Sequence, residues 1–316
     1  MTAHTSGAAA RIGLGLAAIG RPAYVTVGRA EDLGDPTERS IEKMRARAHQ
    51  LLDTAWALGI RYVDVARSYG FAEMFVGSWL DEYPQRRAAL TIGSKWGYEY
   101  IGNWRVDAPI HERKDHALAM LQTQWPETIR ALGSAPDIYL IHSVTTDSPA
   151  LGDTALLAGL QQLADTGVRV GISTSGPKQA QVISQAVAMT GSPFSVVQAT
   201  WNVLEQSAAD ALEAAHSADW FVVLKEVLAN GRLTAREAPT PVRDAAAADH
   251  QTLDAFAVGA ALAQPWADIV LSGAVTAEQL AANVASRAPS SSPNQLDSLS
   301  TSPDSYWRTR AGLRWS

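Results

Sequence analysis

"GLGLAAIGRP", residues 13–22, decides the fold. Its first six residues match Gly-x-Gly-x-x-Gly/Ala, the turn by which a dinucleotide-binding α/β domain passes from strand to helix. That reading needs a helix to open at once, with its N-terminal N–H groups facing a pyrophosphate. Gly20 and Pro22 follow instead, and the next helical periodicity starts near residue 38. No strand ending in an acid arrives at the required distance. The run 11–17 therefore reads as a strand without a phosphate-binding helix behind it, the first of a series.

The series has eight members. After "RIGLGLA" (11–17) come "IRYVDVA" (60–66), "ALTIGSK" (89–95), "DIYLIHS" (137–143), "VRVGIS" (168–173), "FSVVQAT" (194–200), "WFVVLKE" (220–226) and "DIVLSGA" (268–274). Most are separated by helical periodicity, as at 38–58 and at 154–166, where Leu156, Leu157, Leu160 and Leu163 share a face. Continuous apolar strands are covered on both faces, which marks a parallel sheet wrapped by helices. Eight such units fit a closed (β/α)8 TIM barrel of the α/β class better than an open sheet. We read 1–316 as one barrel domain, with 288–316 a low-complexity connection and C-terminal tail, of which 288–305 reads as mobile or loosely packed. The aromatics of "YWRTRAGLRW" suggest that the tail docks back onto something apolar.

Composition narrows the function. The chain has 316 residues, no cysteine and a formal charge of −6. The acidic balance argues against nucleic acid as a partner, since phosphate binding needs clustered bases. Without cysteine there is no disulfide framework and no thiolate metal or nucleophile chemistry, and no metal site is expected. No 18-residue apolar window predicts a membrane span, and "MTAHTSGAAAR" lacks a secretory start. The expectation is a cytoplasmic protein acting on a small molecule. Nothing in the pattern specifies an oligomeric state.

Two insertions follow strands, at 96–112 and 229–250. Loops at that end of a barrel carry the chemistry. They are candidates for a pocket wall and a covering loop. Trp96, Tyr98, Tyr100, Trp104 and Trp201 predict an aromatic-walled substrate pocket for a sugar or a flat ring.

Asp64, Lys95 and His142 each close an apolar run, and Tyr69 follows the second strand, so all four collect at one barrel mouth. Each alone has an ordinary reading: a capping acid, a lysine reaching water, a packed histidine, a surface tyrosine. Together they suit proton transfer to a carbonyl. A lysine beside the phenol favours its ionisation, a carboxylate fixes the lysine, and a histidine orients the carbonyl oxygen.

"YVDVARSYGFAEMFVGSWL", "TIGSKWG" and "DIYLIHS" resemble the second, third and fourth strands of the aldo-keto reductases. "VGISTSG", "VVQATWNVLE", "VVLKEVLANGRL" and "VLSGAVTAEQLAANVAS" resemble the fifth to eighth. The resemblance implies a barrel that binds NADPH without a Rossmann domain and reduces aldehydes or ketones. Tyr69 would be the proton donor, Asp64 and Lys95 its tuners, and His142 the group that orients the carbonyl. It further implies cofactor contacts from Gly15, Leu16, Asp64, Ser173, Thr174, Gln198, Lys225, Gly273, Gln279 and Asn283. Three departures stand out. Thr174 replaces a common asparagine, and Lys225, followed by Glu226, replaces the aromatic that stacks on the nicotinamide. Gln279 stands where an arginine often clamps the 2′-phosphate, with Arg287 the nearest base further along, which leaves NADH open. Two rival readings are an NADP(H)-sensing barrel with little turnover and a Schiff-base barrel enzyme using Lys95.

Overall fold

A computed structural model describes residues 8–316; most of the N-terminal stretch read above as lacking a secretory start lies outside them. Eight parallel strands close a barrel: β1 (Ile12–Gly15), β2 (Tyr62–Asp64), β3 (Thr91–Trp96), β6 (Ile138–Val144), β7 (Arg169–Thr174), β8 (Phe194–Thr200), β9 (Phe221–Lys225) and β10 (Ile269–Ser272). The remaining two, β4 (Tyr98–Tyr100) and β5 (Glu112–Lys114), form an antiparallel hairpin after β3. All eight apolar runs are barrel strands in the expected order. Barrel closure comes from β1 pairing with both β2 and β10, Gly15 lying opposite Asp64.

The connecting segments become helices for local reasons. Ser40 accepts from the Lys43 N–H and opens the helix Ile41–Ala57, which buries Met44, Ala48, Leu51, Leu52 and Ala55 against the barrel. Asp153 caps Thr154–Asp165 the same way through Ala155 and Leu156. Among the described residues no helix is long and apolar enough to cross a membrane.

The glycines of the opening stretch have packing reasons unrelated to phosphate. A side chain at Gly13 would come within 2.8 Å of Leu271 and Tyr62 inside the barrel. One at Gly20 would lie 2.3 Å from the Tyr69 carbonyl oxygen, so only glycine lets the first loop touch the tyrosine's turn. That contact is sealed by the Phe71 N–H donating to the Gly20 carbonyl at 2.8 Å.

The tail corrects an expectation. Instead of a loose connection, 288–305 contains the helix Pro293–Asp297 and the start of a second helix, Pro303–Ala311. A capping box between Ser292 and Gln295 starts the first. Gln206 donates to the Leu296 carbonyl at 2.8 Å, and Tyr306 and Trp307 are buried. The serines that lower the complexity act as helix caps here, Ser292 and Ser302 among them. The chain then crosses the barrel mouth: Tyr24 and Ser316 exchange backbone hydrogen bonds of 3.2 and 3.3 Å.

Candidate active site

Side chains alternate along a strand, so parity decides what faces the barrel axis. Tyr62, Ile138, Leu140, Val196, Val223, Ile269 and Leu271 share the inward parity and fill the interior as an apolar plug. One step nearer the carboxyl ends, the same parity brings up Asp64, Lys95, His142, Gln198 and Lys225. Above them opens a cavity of about 640 Å³.

Lys95 is fully buried, and its ammonium donates to Asp64 Oδ1 at 2.5 Å and to the Val65 carbonyl at 2.9 Å. Gln198 Nε2 donates to the other Asp64 oxygen at 2.7 Å, while Gln198 Oε1 is buried without a partner. The Lys95 nitrogen lies 4.8 Å from the centre of the Tyr69 ring. The rings of Tyr69 and His142 meet edge to face at 5.5 Å. Ser68 Oγ lies 3.3 Å from His142 Nδ1; donation there leaves Nε2 as the N–H of a neutral ring.

The electrostatics differ from the sequence expectation. Burial, then Asp64, hold the Tyr69 hydroxyl well above its ordinary value of 10.0, with Arg21 opposing them. The lysine does not bring the phenol down, because its charge is matched by Asp64 at contact distance. Burial, then Lys95, Lys225 and Arg21, push His142 well below 6.5. The result is a protonated phenol beside a neutral imidazole, both able to donate to one oxygen atom. Burial lowers the Lys95 ammonium from its ordinary value, with Asp64 opposing through its charge and its hydrogen bond.

Of the expected cofactor contacts, Gly15, Asp64, Gln198, Lys225, Gly273, Gln279 and Asn283 line the cavity. Leu16, Ser173 and Thr174 do not. Leu16 and Thr174 have the outward parity and are fully buried. Ser173 faces inward, but its hydroxyl accepts from the Ser143 N–H at 2.9 Å, and Ser143 and Ser175 reach the wall instead. Gln279 donates to Asp32 at 2.8 Å, and Asn283 to Ser272 at 2.8 Å. Arg287 points away, bonded to the Asp249 carbonyl. The arginine beside Gln279 is Arg236, from the insertion after β9, which grips Asp32 at 2.8 Å.

The aromatic wall is corrected too. Of the five tryptophan and tyrosine positions expected to shape it, Tyr98 lines the cavity and Tyr100 does not. Trp96 follows the inward Lys95 and therefore faces the helices, fully buried. Trp104 packs on Phe71 at 5.2 Å, tilted by 31°, and donates to the Arg39 carbonyl, which holds this side chain away from the cavity. Trp201 is buried against Trp266. The wall beside Tyr98 comes from Tyr24 and Trp315.

Charged residues missed in the sequence complete the mouth. Arg21 donates to Glu112 at 2.6 Å. Arg310 grips Glu226 through two nitrogens. Burial works against the Glu226 carboxylate, but Arg310 and Lys225 outweigh it and bring it down to about 2. Lys225 is 3.9 Å from Glu226 and donates to Thr200 at 3.2 Å. So the Lys225–Glu226 pair read from the sequence is secondary to one closed by the tail. Ser143 and Glu226, which each follow an inward strand-end residue, have φ of 54° and 55°, a costly conformation for non-glycine residues that marks the mouth as strained.

A model of the aldo/keto reductase family matches residues 12–300. The structure is similar to an aldo-keto reductase from Bacillus halodurans, at 19% identity and a TM-score of 0.68, covering 92% of each chain. It is also similar to the glycerol dehydrogenase of Gluconobacter oxydans, at 21% identity and 0.67, covering 92% of this chain and 90% of that one. None of the curated proteins compared with it matches.

Proposed function

The chain belongs to the aldo/keto reductase family, and from that premise we propose that it is an NADPH-dependent reductase of aldehydes or ketones with Tyr69 as general acid. Membership makes it an NAD(P)H-dependent oxidoreductase acting on small carbonyl compounds; the choice of NADPH and the residue roles are our reading. The observation that carries it is the meeting of Tyr69, the Lys95–Asp64 pair and neutral His142 at one cavity wall.

The residues fit a nicotinamide cofactor. The buried, unpartnered Gln198 Oε1 is an acceptor suited to a carboxamide N–H. Gly15 and Gly273 leave the cavity floor open, a side chain at Gly273 meeting nothing within 4 Å. When bound, the reduced nicotinamide supplies a hydride to the carbonyl carbon. Tyr69 Oη then gives its proton to the carbonyl oxygen, which His142 holds by a second hydrogen bond. Asp64 and Lys95 fix the floor beneath the phenol and keep that position free of net charge.

Titration of NADPH followed by an aldehyde panel tests the reading. Binding with consumption supports it; binding without consumption favours the sensing barrel. Two further outcomes follow from the electrostatics and the far wall. The acid must stay protonated and the histidine neutral, so activity falls only above the raised tyrosine value or below the lowered histidine value. A plot of kcat against pH is expected to be flat from 6.5 to 10. A descending limb near 8 that survives in Lys225→Met would contradict this; one that vanishes there belongs to Lys225, which burial, opposed by Glu226 and aided by Arg310, brings to about 8. For the 2′-phosphate, Arg236 is the cation beside Gln279. Arg236→Met is expected to weaken NADPH roughly 10- to 100-fold, the worth of a charged hydrogen bond, with little change for NADH. Equal losses for both would remove Arg236 from that role.

A further inference from the structure

We propose that Lys225 is a covalent capture site for small aldehydes, which it holds as an imine within the cavity. The inference rests on the reading that this cavity admits aldehydes, and it concerns a reaction separate from their reduction.

Among the described residues Lys225 is the one lysine that lines the cavity. It closes β9 with the inward parity shared by Asp64, His142 and Gln198, and its side chain is 14% exposed. Nζ donates to Thr200 Oγ1 at 3.2 Å. The carboxylate beside it, Glu226, stands 3.9 Å off and has both oxygens gripped by Arg310. Lys225 is therefore held less tightly than Lys95, which is fully buried, bonded to Asp64 and Val65, and not part of the cavity wall.

The surroundings favour its free amine. Burial is the main cause, opposed by Glu226 and by Asp64 of β2 and aided by Arg310 of the tail and Lys95 of β3, and it brings Lys225 from 10.5 to about 8. Lys225 is also among the charges that push His142 of β6 down, so it stands close to the groups assigned to the carbonyl oxygen. At pH 7 an ordinary lysine is free amine in about one molecule in 10³–10⁴, and Lys225 in about one in ten.

An aldehyde whose oxygen is held by Tyr69 and His142 presents its carbon to the same space. The Lys225 nitrogen attacks that carbon, the C=O π pair moves to oxygen, and a proton passes from nitrogen to oxygen to give the carbinolamine. Water then leaves, carrying the carbonyl oxygen and both amine protons, and a C=N bond remains. No oxidant or reductant enters, and water reverses the step.

In the test, the protein is incubated at pH 7 without NADPH, with propanal and cyanoborohydride, which converts an imine to a stable secondary amine. Peptide masses then read each of the five lysines, Lys43, Lys95, Lys114, Lys178 and Lys225, separately. We expect Lys225 to label about 10-fold faster than exposed Lys43 and Lys178, a roughly 10²-fold gain in free amine being offset in part by the lower nucleophilicity of a less basic amine. Lys114 is the stringent control: burial lowers it too, but it is fixed to the Ser143 carbonyl and to Thr145. In Lys225→Arg, which keeps the charge and removes the nucleophile, the fast label is expected to vanish while the other lysines label as before. Labelling of Lys225 no faster than of Lys43 and Lys178 would overturn the proposal. So would a fast label that sits on Lys95 or Lys114, or one that persists in Lys225→Arg. If that variant fails to fold, the wild-type rates still decide. NADPH consumption with propanal is measured apart. Consumption with no fast label at Lys225 sinks the capture site alone, whereas a fast label with no consumption upholds capture and removes the reductase reading.

Discussion

Tyr69→Phe is expected to lower kcat for carbonyl reduction by about 10²–10⁴-fold, the usual contribution of a positioned acid, while NADPH binds as in the wild type. The change removes one oxygen atom and leaves the ring that packs against His142, Lys95 and Arg21. Folding and cofactor affinity therefore act as internal controls. Among the described residues no second phenol stands ready to replace it: Tyr24 and Tyr98 line the same cavity, but neither has Tyr69's contact with Lys95. Full turnover in Tyr69→Phe would transfer the acid to another group and dissolve the role assigned to His142 along with it.

The second large effect concerns stability. Asp64→Ala leaves a fully buried lysine without its counter-charge and strands the Gln198 amide. Breaking a buried pair from one side costs about 3–5 kcal/mol, so urea unfolding should show a loss of that size. Lys95→Met on the same background removes the stranded charge. The double variant is expected to recover most of the stability while staying inactive, since both groups beneath the phenol are gone. Such non-additivity is the signature of a coupled pair. A single Asp64→Ala loss under about 1 kcal/mol would mean that water reaches Lys95, contrary to its burial.

The barrel and the convergence of Asp64, Lys95 and His142 at its mouth were legible because both depend on local pattern. Apolar runs name the strands, and period-two alternation then tells Lys95 from Trp96 and Ser173 from Thr174. The same parity rule, applied to the tryptophans, would have kept Trp96 off the pocket wall. What stayed hidden lies in loops whose contacts span long sequence distances. Arg21 meets Glu112 across 91 positions, and Glu226 meets Arg310 across 84. No periodicity encodes such pairs, and a charged residue in a loop reads as solvated until the fold brings its partner to it. The Tyr69 environment was misjudged for a related reason. A lysine near a phenol lowers its pKa only if the lysine's charge is free, and Asp64 takes that charge at contact distance.

The tail across the mouth also sets a timetable. Arg310 and Trp315 leave the ribosome well after the barrel strands, at roughly 5–20 residues per second, yet they hold Glu226 and pack on Arg21. While they are still in the exit tunnel, the strands carrying Asp64, Lys95 and His142 have already emerged, and the wall to which Trp315 belongs has not. The polar layer of the barrel is thus made before its cover, and docking of the tail is the event that completes the cavity.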